Sequence, residues 1–279
     1  MKKIKKKTKK RLCVLLSILI ILSGIWYWNN YTLKITEETI ISDKVNGEIK
    51  VTVISDLHGD TFGGDNSRLI KKIEKTEPDL IFVLGDMYSR HQEEKAAETA
   101  DFVEKLAKIA ETFVITGDHD NSDDYVKMLK SIDGTHYLAF DSEDITVGEN
   151  KLTIYGIDTV YFSPTYDLNN EFAPPDESRL NILLAHIPQF EYYESFGADL
   201  IFCGDSHGGM FRLPFLGGIY FNGYLFPEIT YPDEITDKGL YSFGDTTMFV
   251  TSGLGRYPLP LRFNNRPEIC SITIKGESK

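Results

Sequence analysis

Residues 51–58 read VTVISDLH, an apolar run that ends directly in Asp56 and, two residues later, in His58. Continuous apolar runs of this length are typical of strands buried on both faces of a sheet. Four more runs of the same kind occur in the chain, and each is followed within two residues by an Asp or a His. The five predicted strands cover residues 51–55, 80–84, 113–116, 181–185 and 200–203.

Helical patterns lie between several of these strands. Apolar residues recur at helical spacing over 67–77, 92–110 and 123–132, and strands that alternate with helices are typical of an α/β architecture. Three later segments, 152–157, 248–252 and 269–274, have the composition of further strands. The sequence therefore predicts an α/β fold.

The ends of the five predicted strands carry side chains that can bind metal ions. In open α/β sheets, ligands bind just beyond the carboxyl ends of the strands. A single Asp-x-His or Gly-Asp pair is more often a turn, but several carboxylates that meet at one sheet edge repel one another without a cation. Mixed oxygen and nitrogen donors suit Mn²⁺, Zn²⁺ or Fe ions, and their number implies two ions with a bridging carboxylate.

The order of these motifs resembles that of the calcineurin-like metallophosphoesterases. Their pattern is D-x-H, G-D, G-N-H-D/E, a lone H and G-H-x-H, and the matching positions here run from Asp56 to His207. The resemblance extends over residues 49–274, and segments 207–209, 252–255 and 261–269 resemble a membrane-associated bacterial branch. That branch includes hydrolases of lipid-linked or sugar-nucleotide phosphoesters. The resemblance implies a sandwich of two packed β-sheets flanked by α-helices, over residues 48–279.

The resemblance also implies a role for each motif residue. The first metal would be held by Asp56, His58, Asp86 and His207, and the second by Asp86, Asp118, His186 and Asp205, with Asp86 bridging. His119 would face the substrate, either as general acid to the leaving oxygen or as a donor to the phosphoryl group, and Asp120 would orient the His119 ring. The implied reaction is attack of metal-bound hydroxide on phosphorus.

Two positions depart from the family pattern. Asp118 stands where the family has Asn, and Asp205 stands where it has the first His of G-H-x-H. The added negative charge favours a harder ion, Mn²⁺ or Mg²⁺, over Zn²⁺ at the second site, so Mn²⁺ is the first choice among Mn²⁺, Zn²⁺, Fe and Mg²⁺. It also weakens the positive field on a phosphoryl oxygen. A metal-binding but weakly catalytic or sensing module is therefore the alternative to an active hydrolase.

The N-terminus has the pattern of a membrane anchor. Residues 1–11 contain eight Lys/Arg and no acid, and residues 12–28 contain no charge and end in Trp26, Tyr27 and Trp28. Seventeen helical residues span roughly 25 Å, at the short end of a bilayer crossing. We expect a cytoplasmic tail over 1–11, a single-pass signal-anchor over 12–28, a juxtamembrane segment over 29–47 and an extracytoplasmic domain in the cell membrane. A cleaved signal peptide is the alternative, but bulky aromatics occupy its cleavage region.

Composition limits the partners. Of the 30 Lys/Arg, eight lie in residues 1–11, which leaves 22 against 42 Asp/Glu in the rest of the chain. So acidic a body disfavours nucleic acid, and a phosphoester, lipid-linked or not, is the expected substrate. An aromatic-rich stretch between His207 and Met248 either forms an apolar wall beside the site or packs under a loop. Arg90 and Arg262 either reach a substrate phosphate or are solvated, and Cys203 and Cys270 either pair or remain buried thiols.

Overall fold

The computed structural model describes residues 6–158, 167–221, 224–230 and 236–277. The first five residues of the predicted basic tail and Tyr231 of the aromatic-rich stretch lie outside these ranges. The described helices are α1 (Lys6–Tyr31), α2 (Ser67–Glu74), α3 (Ala96–Ala107), α4 (Asp123–Ser131), α5 (Phe190–Tyr193) and α6 (Pro227–Thr230).

Sixteen strands are described, and most of them belong to two six-stranded sheets. In chain order they are β1 (Lys34–Ile41), β2 (Glu48–Ile54), β3 (Leu80–Leu84), β4 (Glu111–Ile115), β5 (Thr135–Tyr137), β6 (Asp141–Val147), β7 (Asn150–Gly156), β8 (Leu180–Leu184), β9 (Leu200–Cys203), β10 (Arg212–Leu213), β11 (Gly217–Gly218), β12 (Tyr220–Phe221), β13 (Tyr224–Leu225), β14 (Gly239–Phe243), β15 (Thr246–Val250) and β16 (Glu268–Lys275).

The first sheet has the order β1-β16-β2-β3-β4-β5, and the second has the order β14-β15-β9-β8-β7-β6. Strands β2 to β5 are parallel, as are β7, β8, β9 and β15. Strands β16, β6 and β14 pair antiparallel with β2, β7 and β15, and β1 pairs in parallel with β16. Both sheets are therefore mixed, and each has a parallel centre whose carboxyl ends share one edge.

Burial on both faces explains the continuous apolar runs. In β3, Phe82 and Leu84 belong to the core between the sheets, where the rings of Phe82 and Phe202 meet at 5.3 Å. The alternate residues Ile81 and Val83 pack against the layer of α2, α3 and α4. A strand covered by a sheet on one face and by helices on the other has no position for a polar residue. The predicted sandwich of two sheets flanked by helices is confirmed.

The five predicted central strands correspond to β2, β3, β4, β8 and β9, and the three predicted helices correspond to α2, α3 and α4. The pattern did not predict β1, which lies in the segment expected to be juxtamembrane and pairs in parallel with β16. Its sequence, KITEETII, mixes charged and apolar residues because an edge strand has an exposed face. The predicted helix over 92–110 begins instead with a 3₁₀ turn at Glu93–Lys95, followed by α3.

Helix α1 carries the predicted span. Within it, residues Thr8–Tyr31 are long and apolar enough to cross a membrane, and their side chains are almost all exposed. Cys13 on this helix is exposed, whereas Cys203 and Cys270 are buried free thiols. Of the two alternatives for Cys203 and Cys270, the structure therefore has the one without a disulfide.

Candidate metal centre

All seven predicted metal ligands lie at the shared edge where the parallel strands of both sheets end. Each follows its strand directly or by a short loop, so the topology alone brings them together. Among the described residues, four overlapping groups each have ligand atoms within 4.8 Å of one another: Asp56, His58 and His207; Asp56, Asp86 and His186; His58, Asp86 and His119; and Asp118, His186 and Asp205.

We call the four predicted ligands of the first metal, Asp56, His58, Asp86 and His207, the buried half-site. The His58 and His207 Nε2 atoms lie 3.2 Å apart, and His58 Nε2 lies 3.5 Å from an Asp86 oxygen. His207 Nε2 lies 3.9 Å from Asp56 Oδ1. None of the four residues is more than 7% exposed. Two ring nitrogens and two carboxylates therefore face one small volume that excludes most water.

We call the four predicted ligands of the second metal, Asp86, Asp118, His186 and Asp205, the open half-site. His186 Nε2 lies 3.5 Å from Asp86 Oδ2 and 3.8 Å from Asp205 Oδ1. The His186 Nδ1–H donates a hydrogen bond to the Leu84 carbonyl at 2.6 Å. In the neutral ring, Nε2 therefore carries the lone pair. The side chains of Asp118 and Asp205 are 38% and 37% exposed.

Unsatisfied buried atoms test whether this donor set fits a pair of cations. Asp56 Oδ2 and His186 Nε2 are buried and have no hydrogen-bond partner among the residues that the structure describes. A buried polar atom without a partner costs about 1–3 kcal/mol, and a cation would remove that cost. The free atoms are a carboxylate oxygen and an imidazole nitrogen, the donors that divalent transition metals prefer. The residues fit a dinuclear divalent metal site.

The pKa values of these groups follow from burial and from their mutual proximity. Burial raises the pKa of Asp56 to about 7 and lowers the pKa of His58 to about 4. Burial also works against a charged His186, but the adjacent Asp86 carboxylate outweighs it and raises the pKa of His186 well above its usual value. Protons and metal ions therefore compete for the same atoms.

A family model of calcineurin-like phosphoesterases matches residues 49–209 of the chain. The chain belongs to this family. It is 28% identical to the uncharacterized metallophosphoesterase YkuE of Bacillus subtilis, over 90% of this chain and 88% of that protein. It is 29% identical to the phosphodiesterase YaeI of Escherichia coli, over 81% and 82% of the two chains. A zebrafish transmembrane protein with a metallophosphoesterase domain is 24% identical over 84% of this chain and 55% of its own. The chain is a metal-dependent phosphoester hydrolase.

Left-handed backbone is concentrated at the metal centre of this phosphoesterase. Among the seven predicted ligands, five have a positive φ: Asp56 (54°), His58 (49°), Asp86 (56°), Asp205 (63°) and His207 (49°). For residues other than glycine, such a conformation costs of order 1–3 kcal/mol and persists only where surrounding contacts enforce it. Gly117 allows the loop after β4 to approach Asp86 closely, because a Cβ at this position would overlap Asp86 Oδ1.

His119 is oriented by the main chain. Its Nδ1 accepts a hydrogen bond from the Arg90 backbone N–H at 2.9 Å, so the neutral ring carries its proton on Nε2. That nitrogen lies 3.9 Å from Asp86 Oδ2 and 3.8 Å from Asp118 Oδ2. His119 therefore presents an N–H donor between the two half-sites.

Asp120 is hydrogen-bonded to two main-chain N–H groups. Its two oxygens accept hydrogen bonds from the Met87 N–H at 2.8 Å and the Gly117 N–H at 2.7 Å. Its carboxylate is fully buried, and burial raises its pKa to about 7. These bonds tie the loop after β3 to the loop after β4. Among the described residues no hydrogen bond joins Asp120 to the His119 ring, so the orienting role stays a prediction.

The two arginines singled out from the sequence behave differently. Arg90 is exposed and donates from Nη2 to the Asp118 carbonyl and carboxylate at 2.9 and 3.2 Å. Arg262 is fully buried, so neither of the two alternatives for it holds. It donates to the carbonyls of Gly255 and Ser252 at 2.7 and 2.8 Å, and burial lowers its pKa to about 10. Arg262 supports the loop that packs behind Asp56.

Tyr257 is a site residue that the sequence did not reveal. Its ring stacks on that of His58 at 4.4 Å and meets the edge of His119 at 4.7 Å, and 37% of its surface is exposed. It lies in an irregular segment between residues 252–255 and 261–269, and no periodicity or spacing singled it out from its neighbours. Tyr257 covers the buried half-site on the solvent side.

Proposed function

We propose that this phosphoesterase is anchored in the cell membrane by α1 and hydrolyses an amphiphilic phosphodiester outside the cytoplasm, with lipid-linked or cell-envelope phosphoesters as the substrate class. The observation that carries the reaction is the pair of buried potential metal ligands without a hydrogen-bond partner, Asp56 Oδ2 and His186 Nε2, beside the His119 N–H. The relative named a phosphodiesterase supports diester over monoester hydrolysis. The substrate is held where both half-sites and His119 are within reach.

In this proposal the buried half-site holds one divalent cation and the open half-site holds the other, with Asp86 shared. When bound, such a pair supplies a nucleophilic water at neutral pH and neutralises charge on the phosphoryl oxygens. The carboxylate-rich open half-site favours Mn²⁺. The protein residues contribute orientation, because their strained loops fix the ligand atoms before any ion binds.

In this proposal, the His119 Nε2–H donates a hydrogen bond to a phosphoryl oxygen of the substrate. Of the two roles considered for His119, the contact with Arg90 supports this one. A ring that became an imidazolium would carry a proton on Nδ1, which faces the Arg90 N–H, and the two donors would repel each other. A neutral ring with a fixed Nε2–H donor stabilises negative charge without changing its own protonation state.

The N-terminal contacts support an uncleaved anchor over a removed signal peptide. Asn30, near the end of α1, is fully buried and exchanges hydrogen bonds with the Arg262 main chain. Asn29 accepts a bond from the Asn264 N–H at 2.7 Å. We propose a cytoplasmic tail over 1–11, a span over 12–28, a connecting segment over 29–47 and a catalytic domain over 48–279 on the outer side. A cleavage after the apolar run would cut into contacts that the domain uses.

The second candidate function is a metal-binding module with weak catalysis or a sensing role. Asp118 and Asp205 favour it, because both add negative charge next to the position of the phosphoryl group. Arg90 offsets part of that charge through its contact with Asp118, which is why we place the hydrolase first.

The test is turnover of bis-p-nitrophenyl phosphate by the full chain in detergent with added Mn²⁺, together with metal analysis. We expect His119→Ala to lower kcat by about 10²–10³-fold while the metal content stays unchanged. The control is His136→Gln, because His136 lies on β5, away from the site, and pairs with Glu143 on β6. Bound metal without turnover in the wild-type chain would support the sensing module instead, and loss of metal in His119→Ala would make His119 a ligand.

A further inference from the structure

Two segments that carry exposed apolar side chains adjoin the end of α1. Phe215 and Leu216 lie in the turn between β10 and β11, and Leu259 and Phe263 lie in the segment that precedes β16. Phe215 is fully exposed, and Leu259, Phe263 and Leu216 are 50%, 41% and 40% exposed. We call these four residues the apolar rim. An exposed group of large apolar side chains is unusual on a soluble surface and typical of an interaction site.

Phe263 of the apolar rim, and Pro214 immediately before Phe215, lie level with the apolar part of α1. Ile25 and Trp28 of the helix line a cavity together with Pro214 and Phe263. Ile25 precedes the helix end at Tyr31 by six residues, which corresponds to about 9 Å along the helix axis. The loops of the domain therefore reach back along the span, to a level where Trp26 and Trp28 favour the membrane interface.

The domain is fixed to the helix end by hydrogen bonds and ring contacts. The Arg266 guanidinium lies 4.2 Å from the centre of the Trp28 ring and donates to the Leu33 carbonyl at 2.9 Å. The Arg256 guanidinium donates to the Tyr31 hydroxyl at 2.6 Å and pairs with Asp60. Because these contacts join the helix end to the segment that also carries Leu259 and Phe263, the position of α1 in a bilayer determines the position of that part of the rim.

The same segments lead directly to the metal centre. Tyr257, two residues before Leu259, stacks on His58. The Phe263 N–H donates to the Met210 carbonyl at 3.1 Å, and Asn265 Nδ2 donates to the His207 carbonyl at 2.7 Å. Whatever surface the rim contacts therefore lies beside the opening of the buried half-site.

We propose that the apolar rim rests in the lipid interface of the membrane that α1 crosses, so that the metal centre opens at the level of the lipid headgroups. The proposal rests on the proposed membrane anchor and names a second contact with the same bilayer. Arg266 and Lys34, which line the same cavity, supply positive charge at that level, as anionic headgroups require. A substrate phosphate would reach the metal centre while its acyl chains stay in the bilayer.

The experiment uses the full chain in vesicles of phosphatidylcholine and phosphatidylglycerol, with an environment-sensitive fluorophore on single cysteines. Cys203 and Cys270 are buried, so a Cys13→Ser background leaves an introduced cysteine as the reactive one. Phe215→Cys carries the label on the rim. Ile41→Cys is the matched control, because Ile41 is apolar and 58% exposed but lies at the end of β1 farthest from α1. The unmodified chain, labelled at Cys13, reports insertion of the helix.

We expect a blue-shifted emission for labelled Phe215→Cys and its quenching by nitroxide-bearing lipids, with neither change for Ile41→Cys. Quenching at Cys13 without quenching at residue 215 would overturn the proposal and leave the anchor intact. Absence of quenching at Cys13 would remove the anchor and the proposal together. A blue shift at residue 215 that lipid nitroxides do not quench would assign the rim to a second copy of the chain and would also overturn the proposal.

Discussion

The two half-sites share Asp86 but are built differently. The buried half-site takes its residues from loops locked to one another: the Asp56 N–H donates to the Gly85 carbonyl at 3.0 Å, and the His58 N–H donates to the Asp86 carbonyl at 2.9 Å. The open half-site has two carboxylates that are more than a third exposed. The buried half-site is fixed by main-chain bonds, whereas two of the four side chains of the open half-site are in contact with water.

This difference suggests a division of labour. A cation in the buried half-site would be held by two imidazoles and two carboxylates with little access for solvent, as in sites that retain their metal. A cation in the open half-site would be held mainly by oxygen atoms and would remain accessible to substrate. Arg90 competes with that cation for Asp118. The buried half-site should bind first and release last.

The largest effect is expected from Asp86→Asn, because Asp86 belongs to both halves. Its carboxylate lies 3.5 Å from both His58 Nε2 and His186 Nε2, and an amide offers a neutral oxygen in place of an anionic one. We expect kcat to fall by at least about 10³-fold and both ions to be lost on dialysis. Metal analysis and turnover measure this. The surface variant Asp101→Asn on α3 serves as control, and retention of two ions by Asp86→Asn would contradict the bridging role.

A matched pair of variants tests the division between the halves. His58→Ala removes a ligand from the buried half-site, and Asp118→Ala removes one from the open half-site. We expect His58→Ala to lower metal affinity by about 10²-fold and Asp118→Ala by about 10-fold, with the latter restored by excess Mn²⁺. Titration of metal against activity separates the two. If excess Mn²⁺ rescued both variants equally, the two half-sites would not differ in the way described.

The smallest effect is expected from pH. Because burial raises the pKa of Asp56 from 3.8 to about 7, the metal-free fold holds that proton. Between those pH values the unfolded chain has lost the proton that the fold retains, so the stability of the metal-free fold falls as the pH rises. Cation binding needs the deprotonated form, so apparent affinity should increase by up to about tenfold per pH unit below 7. The rise in Tm on addition of Mn²⁺, relative to a chelator, should be larger at pH 8 than at pH 6. An equal rise at both pH values would mean that no proton is displaced.

The sequence revealed the fold through residues that obey a local rule. Phe82 and Leu84 had to be apolar because a sheet covers one face of β3, and Ile81 and Val83 had to be apolar because helices cover the other. Because these apolar runs mark where each strand ends, the motifs that follow them could be placed at one edge of the sheet. Edge strands such as β1 escaped notice because their solvent-facing residues break the apolar run.

By itself, the sequence determined which residues could converge, since a parallel strand must deliver its carboxyl end to the same edge as its neighbours. It determined the apolar span by length and charge in the same way. Only the tertiary structure decided the contacts of Asp120, Arg262 and Tyr257. A carboxylate can bond to a ring or to two backbone N–H groups, an arginine can be solvated or buried, and a tyrosine can stack on any ring within reach. Those choices depend on which distant loop is adjacent, and no local pattern in the sequence encodes that neighbour.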